Sequence, residues 1–580
     1  MMDILKRSFS ILRRYMMALL LTVFCTPIVT QAQVDVGDPF EFYLRMISES
    51  NVSTDLPSFN LRPQEIRFNA SDLPVVHPWV KRIDRAYLVS NLYATPPPSS
   101  DGILQPDIIF YAPELRVTHN NKFAWGANDG ALWQGRGLNH SYSMGIGFRY
   151  GNVSAAIRPK MVYSENRDFA LSPYAPRAEL NQFAEPRLYV DMPQRFGEDP
   201  VSRMDPGNSF IKYSQSGFEG GFSTQSYWVG PGVRNALILS NNAPGFLHGF
   251  VGTSRPVAIP GGKMESRWFW GGLRESDYFD DIQDNNLRYV TGFTFNYSPE
   301  FIPGLHAGFN RVAYRYYPED GLTLSDIFLA FTRRPDHPRT PTRDVDFYRQ
   351  RMIMSSFFLR YVIPEPGFEW YFEWGRNDYR RTIRDFIGEP ELNRAYTAGM
   401  MKRFHISDTK RLVALVEFNQ LENNSPAVLH RTRSQLIEND ATMWYMNNYV
   451  RQGYSHMGQV MGAAIGPGSS AQALELKYFD TWGMIGGSIG RTVYHNDRLF
   501  MFWQYYINQQ PFAWNTLRKL QEVEIHYGLN ALLFLPYNLE LQVDYRLGSF
   551  ENRNNVMDYD VANTNISATL RYGIRAFRIR

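Results

Sequence analysis

The sequence predicts a mainly β chain: a transmembrane antiparallel β-barrel of about sixteen to eighteen strands, eighteen favoured, with a small N-terminal helical periplasmic plug. Three observations predict it. From about residue 108 onward, runs of roughly ten residues alternate apolar and polar side chains, which puts one set on each face of a strand. The chain opens on an export signal. Short and long connections alternate along it, as they do where one end of a barrel faces the periplasm and the other the exterior.

Residues 1–32 form the signal. Lys6, Arg7, Arg13 and Arg14 make a basic start, Met16 to Phe24 an apolar stretch, and Thr30-Gln31-Ala32 a small-residue cleavage site. The apolar stretch is too short for a membrane anchor and ends at Pro27. Cys25, the single cysteine, lies inside it, so the mature chain has no thiol for a disulfide or a thiolate metal site. The segment holds four bases and one acid, and removing them from 60 bases and 57 acids leaves equal numbers of each sign. The pI near 8.6 therefore belongs to the signal, and no bulk argument for nucleic acid survives. A mean hydropathy of −0.36 suits a barrel, whose lumen and connections are polar and whose strands touch lipid only at alternate residues.

Residues 33–105 read as the plug. Asp38 can cap a helix with Pro39 at its first position, and Phe40, Tyr43, Leu44 and Ile47 fall at helical spacing. Pro63 opens a second short helical run and Pro78 a third, with Trp79, Ile83, Tyr87 and Leu88 on one face. Pro96-Pro97-Pro98-Ser99-Ser100 ends the unit as a stiff connector. Some seventy residues are too few for a large core, so the unit should pack on the barrel.

Residues 106–580 read as the barrel, lying in outer-membrane lipid. Leu539, Leu541, Val543, Tyr545 and Leu547 alternate with Glu540, Gln542, Asp544 and Arg546, and the run before them does the same from Val523 to Leu533. The last strand carries Ile566, Ala568, Leu570 and Tyr572 on one face, although the chain ends on Arg580 where such barrels usually finish on an aromatic residue. At about 26 residues per strand and connection, the length gives sixteen to eighteen strands, an even number. The short turns, at 151–152, 298–304, 363–367, 405–410 and 535–538, all fall at one end. The long segments 164–206, 230–247, 317–350, 377–394, 421–472 and 495–520 collect at the other, which is the extracellular side by turn parity.

Chemistry is sought there. Gly230-Pro231-Gly232 and Gly466-Pro467-Gly468 are each followed by amides and hydroxyls, the groups that hold sugars, with aromatic residues nearby to stack on a ring. The candidate polysaccharide-binding residues are Trp228, Arg234, Asn235, Asn241, Asn242, Arg451, Tyr454, Gln459, Ser469 and Gln472. Equally, Gly-Pro-Gly and Asn-Asn are turn chemistry. Arg158 and Lys160 alternate with Ile157, Pro159 and Met161 and so face the lumen. Arg333, Arg334, Arg339, Arg343, Arg349 and Arg351 could cradle an acidic polymer, but Asp336, Asp344 and Asp346 interleave with them and can pair them off. The eleven histidines are scattered singly, no metal-binding spacing appears, and Ser455-His456 has no acid partner in view, so neither a catalytic site, a metal nor a cofactor is expected.

Trp133-Gln134-Gly135-Arg136-Gly137, Arg158-Pro159, Leu239-Ser240-Asn241-Asn242-Ala243-Pro244-Gly245-Phe246, Glu389-Pro390-Glu391 and Arg451-Gln452-Gly453-Tyr454, together with the two glycine-proline-glycine segments, resemble the capsule assembly protein Wzi family. The resemblance spans nearly the whole mature chain. It implies an eighteen-stranded outer-membrane barrel, a periplasmic helical plug, and a lectin role in attaching capsular or exported polysaccharide to the surface of a Gram-negative cell. Three functions stay in play: that lectin, a porin or glycan channel with an open lumen, and an outer-membrane enzyme. A monomer is the expected state.

Overall fold

The computed structural model describes residues 36–48, 57–63, 79, 106–173, 189–280, 285–318, 321–332, 351–377, 393–407, 409–422, 443–447, 449–499 and 519–572. The signal, most of the expected second and third plug helices, the proline connector, the Arg333–Arg349 stretch and the final residues lie outside these.

Eighteen strands close an antiparallel barrel. In chain order they are β1 (Asp107–Asn120), β2 (Gly137–Tyr150), β3 (Val153–Ile157 and Lys160–Ser164), β4 (Val201–Asp205 and Phe210–Gln215), β5 (Phe218–Ser223), β6 (His248–Thr253 and Val257–Ile259), β7 (Gly262–Arg274), β8 (Leu287–Pro299) and β9 (Leu305–Tyr316). They continue as β10 (Arg351–Ile363), β11 (Phe368–Asn377), β12 (Arg394–Ser407), β13 (Lys410–Gln420), β14 (Ser470–Asp480), β15 (Gly483–Tyr494), β16 (Glu522–Phe534), β17 (Leu539–Glu551) and β18 (Val561–Tyr572). Pairing of Glu114 with Arg571 and Asn120 with Asn565 joins β18 to β1 and leaves no open edge. The strands break where proline removes a ladder donor: β3 at Pro159, β4 at Pro206, β6 at Pro256, and β1 shifts register across Pro113.

The alternation sorts the two faces. On β16, Ile525, Tyr527 and Leu529 are exposed on the outer wall while Glu524 and His526 are buried inside. Gln542, Asp544 and Arg546 of β17 face the interior likewise, lining a cavity. All tight turns, including 150–153, 299–305, 363–368 and 534–539, lie at one end, and the long connections lie at the other.

An eighteen-stranded wall encloses more room than its own side chains can fill. Connections entering from the long-connection end fill it. Leu237, Ile238 and Leu239, and Met443, Trp444, Tyr445, Met446, Tyr454, Val460 and Met461, pack within the barrel on Phe250, Phe269, Val290, Val312, Met352 and Met354 of the inner wall. The core of the molecule is thus inside the lumen, and burial of these apolar side chains holds the inserted connections, each contributing about 1.5–3 kcal/mol.

At the tight-turn end a helix, α1 (Pro39–Ser48), sits within the wall. Asp38 accepts the Phe40 N–H at 2.8 Å, closing the first turn that Pro39 begins. Its Phe40 and Tyr43 rings lie 5.2 and 4.8 Å from Trp79, and the three pack on Phe479 and Phe534 of the inner wall. The Trp79 indole N–H donates to the Asp480 carbonyl at 2.8 Å. Arg45 bonds Glu369, which Arg360 also grips at 2.8 Å, all three fully buried. Leu61–Arg62 pairs with Trp228–Val229 as a two-residue ladder.

Candidate functional site

A pocket of about 190 Å³ opens among the long connections. Its aromatic walls are Trp125, Trp133 and Phe169, and its polar walls Gln134, Gln194, Asn242, Gln459 and Arg553. These come from six separate stretches of chain that closure of the barrel brings together.

Local sequence explains each placement. Trp133 lies on the β1–β2 connection against Phe196, ring centroids 4.8 Å apart, and a side chain at Gly135 would collide with its ring. Gln134 is locked by its carbonyl, which accepts from Asn120 at 2.9 Å, and by its Oε1, which accepts from Asn565 at 2.8 Å. Gln194 Oε1 accepts the Ser172 N–H at 2.7 Å. Arg553 lies over Phe123 at 4.3 Å and pairs with Glu522, so its charge is already half spent.

Asn242 and Gln459 meet here. The Gln459 amide donates to the Asn242 carbonyl at 2.9 Å, and the Asn242 amide to the Val460 carbonyl at 2.8 Å. Asn242 Oδ1 accepts the Asn128 N–H at 3.2 Å. The two glycine-proline-glycine connections, more than two hundred residues apart, therefore contribute neighbouring amides to one pocket. Among the described residues the Gln459 Oε1 is buried without a hydrogen-bond partner. A buried acceptor in that state costs about 1–3 kcal/mol unless a water or ligand hydroxyl supplies the proton.

A second space of about 550 Å³ shares Trp125, Gly126, Ala127 and Asp129 with the pocket. Arg158, Lys160 and Arg234 line it, with Arg116 and Asp129 paired at 2.7 Å, Glu475 and Lys477 at 2.8 Å, and Glu114 and Arg571 at 2.6 Å. Arg158 lies over the Tyr111 ring at 4.2 Å. Arg234 pairs with Glu475, and its backbone N–H donates to Glu417. Asn241 also lines this cavity, and its amide donates to the Val36 carbonyl at 3.0 Å.

The other candidates lie away from the mouth pocket: the long connections leave one end of the barrel, as turn parity requires, but fold back into its lumen. Trp228 is buried, its N–H bonded to the Gly232 carbonyl at 3.0 Å and its ring covered by Arg62. Asn235 is buried against Asn419. Tyr454 is fully buried in the lumenal core, stacked on Tyr445. Ser469 is fully buried, donating to the Pro467 carbonyl at 3.2 Å and accepting the His495 N–H at 3.0 Å. Gln472 shares the outer face of β14 with Leu474 and Leu476 and sits beside Arg491. Arg451 is half-buried over Tyr189. Apart from Gln472, which lies on the barrel wall, the reason is common: loops drawn into the lumen spend their amides and rings on packing. Gly230 shows how close that packing is, with φ of 95° and the Glu373 carboxylate where a Cβ would stand, at 2.5 Å. Of the arginine stretch, Arg351 is described, and it holds Thr332 at 2.7 Å.

No cluster of metal-ligating side chains occurs among the described residues. The Ser455 hydroxyl donates to the Gln452 carbonyl at 2.7 Å and not to the His456 ring. Burial pushes His456 down to about 3, and its Nδ1 accepts the Arg274 N–H at 3.0 Å.

Fold and site together define an outer-membrane β-barrel with a packed lumen and an amide-and-aromatic pocket at one mouth. Residues 111–480 match the profile of the capsule assembly protein Wzi family, and the chain belongs to that family. Among solved structures it is similar to Escherichia coli Wzi, described as a carbohydrate-binding β-barrel involved in group 1 capsule assembly. The TM-score is 0.54 at 11% identity, over 94% of this chain and 100% of that one. Pseudomonas aeruginosa OprD aligns at TM-score 0.38 and 7% identity, over 80% and 93%. Pseudomonas putida OprB aligns at 0.33 and 9%, over 80% and 94%. No curated protein matches the chain.

Proposed function

We propose that this protein attaches capsular or exported polysaccharide to the cell surface, holding it without turnover at the mouth pocket. Residues 1–32 direct export, the tight turns face the periplasm, and residues 33–105 plug that end of the barrel. The observation that carries the reading is the convergence of Asn242 and Gln459 beside Trp125 and Trp133: planar amides for hydroxyls and indoles for the sugar face, at the end where a surface polymer lies. Family membership and the similarity to Escherichia coli Wzi, a carbohydrate-binding barrel, support it. The lumenal core speaks against a diffusion channel, which needs a continuous aqueous path.

The test is complementation. In a strain lacking the protein, the wild-type gene restores a cell-bound coat, whereas Trp133→Ala with Gln459→Ala sheds polysaccharide into the medium at unchanged total output. Equal retention by wild type and double variant, both inserted and heat-modifiable on gels, would remove the mouth pocket from the account.

A further inference from the structure

Part of the connection after β9, residues 321–332 with the short helix α2 (Leu324–Ile327), lies against the outside of the barrel. Strand alternation identifies the face. Val290, Val312 and Met352 point into the lumenal core, so Tyr289, Ala313 and Ile353, one residue away on the same strands, point outward. Leu329 packs on these three and they are buried, whereas outward residues further along the wall, such as Phe357 and Leu359, are exposed. Phe328 and Phe331 lie on the outward Trp268 ring at 5.0 and 5.4 Å, and Phe331 on Phe293 at 5.1 Å. Phe293 is the middle residue of β8. At about 3.4 Å per residue and a tilt of about 40°, the segment therefore reaches about 15 Å down the wall from the strand end.

We infer that residues 321–332 are a lipid-binding element, seated in the membrane at the long-connection end with acyl chains against their outer side. The inference is independent of what the mouth pocket binds. The outer side of the segment is apolar: Leu324 is 75% exposed, and Leu322, Phe328 and Phe331 are exposed beside it, continuing the lipid-facing wall. A connection standing in water would turn such side chains inward. Its backbone is also closed on itself, as lipid requires, because hydrocarbon offers no hydrogen bonds. The Thr323 N–H donates to the Asp326 carboxylate at 2.8 Å, and the N–H groups of Asp326, Phe328, Leu329, Phe331 and Thr332 donate to carbonyls within the segment. The wall supplies donors for the remaining carbonyls: the Tyr289 hydroxyl to Asp326 at 3.1 Å, the Thr291 hydroxyl to Ile327 at 3.4 Å and Arg351 to Thr332 at 2.9 Å. Asp326, the one charged residue in the segment, is paired with Arg315 of β9 at 2.6 Å and shielded by it. A segment with its backbone bonds met, its charge paired and its apolar side outward fits the acyl edge of a bilayer.

The experiment places a fluorescent reporter on the segment. Leu324→Cys is labelled with the environment-sensitive fluorophore NBD, and the full-length barrel is reconstituted in phosphatidylcholine vesicles. Leu322→Cys serves as a second position and Asp558→Cys, on the exposed β17–β18 connection, as the water-facing reference. The heat-modifiable gel shift confirms that each variant is folded. Two quenchers are compared: phosphatidylcholine carrying a nitroxide on its acyl chain, and iodide on both sides of the vesicle. The label at 324 and at 322 should lose most of its emission to the acyl nitroxide and little to iodide, and the label at 558 should do the reverse. Quenching at 324 and 322 by iodide as strong as at 558 would place the segment in water and overturn the inference. Protection of both positions from both quenchers would mean that protein, such as a second copy of this chain, covers the segment, and would overturn it equally.

Discussion

Tyr454 and Gln459 stand five residues apart in one connection, and the structure separates their roles. Tyr454 is fully buried between Tyr445 and Tyr314, so Tyr454→Ala is expected to destabilise the folded barrel by about 3–5 kcal/mol, as large aromatic deletions in cores do. A lower temperature for the heat-modifiable gel shift checks it. Gln459→Ala, which loses only the hydrogen bond to the Asn242 carbonyl, should lower that temperature far less and weaken polysaccharide binding by about 1 kcal/mol, roughly fivefold. Glu275 adds a pH effect. Burial raises its carboxyl to about 7; the Gln452 hydrogen bond opposes this, Asp280 and Asp191 add to it, and Arg288 opposes it. The folded state therefore keeps the proton up to about pH 7 while the unfolded chain loses it near 4.5, so this contribution to stability declines as pH rises through that window. Protection factors at Gln452–Tyr454, with the intrinsic base catalysis of exchange divided out, should be lower at pH 8 than at pH 5, and Glu275→Gln should flatten the difference. Sequence alone suggested amides, but it could not say which would line the pocket. Asn235, Ser469 and Asn242 look alike as turn residues and differ only in what the folded loops press against them. Trp133 was visible inside a glycine-flanked motif, whereas Phe169, Gln194 and Arg553 carried no signal because only barrel closure joins them.

At the scale of elements, the strands were the most legible part. A period of two is local, and each β16- or β17-like run states its own faces. The α1 helix was equally plain, since Asp38, Pro39 and the Phe40–Tyr43–Leu44 spacing are all local signals. The inserted connections were not read, although Leu237-Ile238-Leu239 and Met443-Trp444-Tyr445-Met446 are apolar runs that a water-facing loop would not tolerate. How the N-terminal segment holds on is testable. Arg45, Arg360 and Glu369 form a fully buried charged group between α1 and the wall. Arg45→Ala leaves Glu369 paired with Arg360 but removes the Arg45 bonds to Glu369 and to the Pro231 carbonyl, so it should cost about 1.5–3 kcal/mol of docking. A purified Arg45→Ala variant should conduct more than wild type in a planar bilayer. Unchanged conductance with α1 demonstrably released would show that α1 does not close the barrel.

For the whole molecule, connection length encodes sidedness, and it does so because a closed antiparallel barrel must alternate ends. With Cys25 the single cysteine and inside the expected signal, introduced thiols should report without background. Asp558→Cys, on the exposed β17–β18 connection, should react with an impermeant maleimide on intact cells, and Tyr537→Cys, on the exposed β16–β17 turn, should not. Equal labelling would reverse the assigned topology. The claim on which the rest depends is that the mouth pocket binds the polymer. The direct measurement is equilibrium binding of detergent-purified protein to purified surface polysaccharide, comparing wild type with Trp133→Ala/Gln459→Ala. The account predicts saturable binding by wild type and a loss of about 2 kcal/mol, roughly thirtyfold, in the variant with its thermal stability intact. Identical affinities in two equally stable proteins would contradict it.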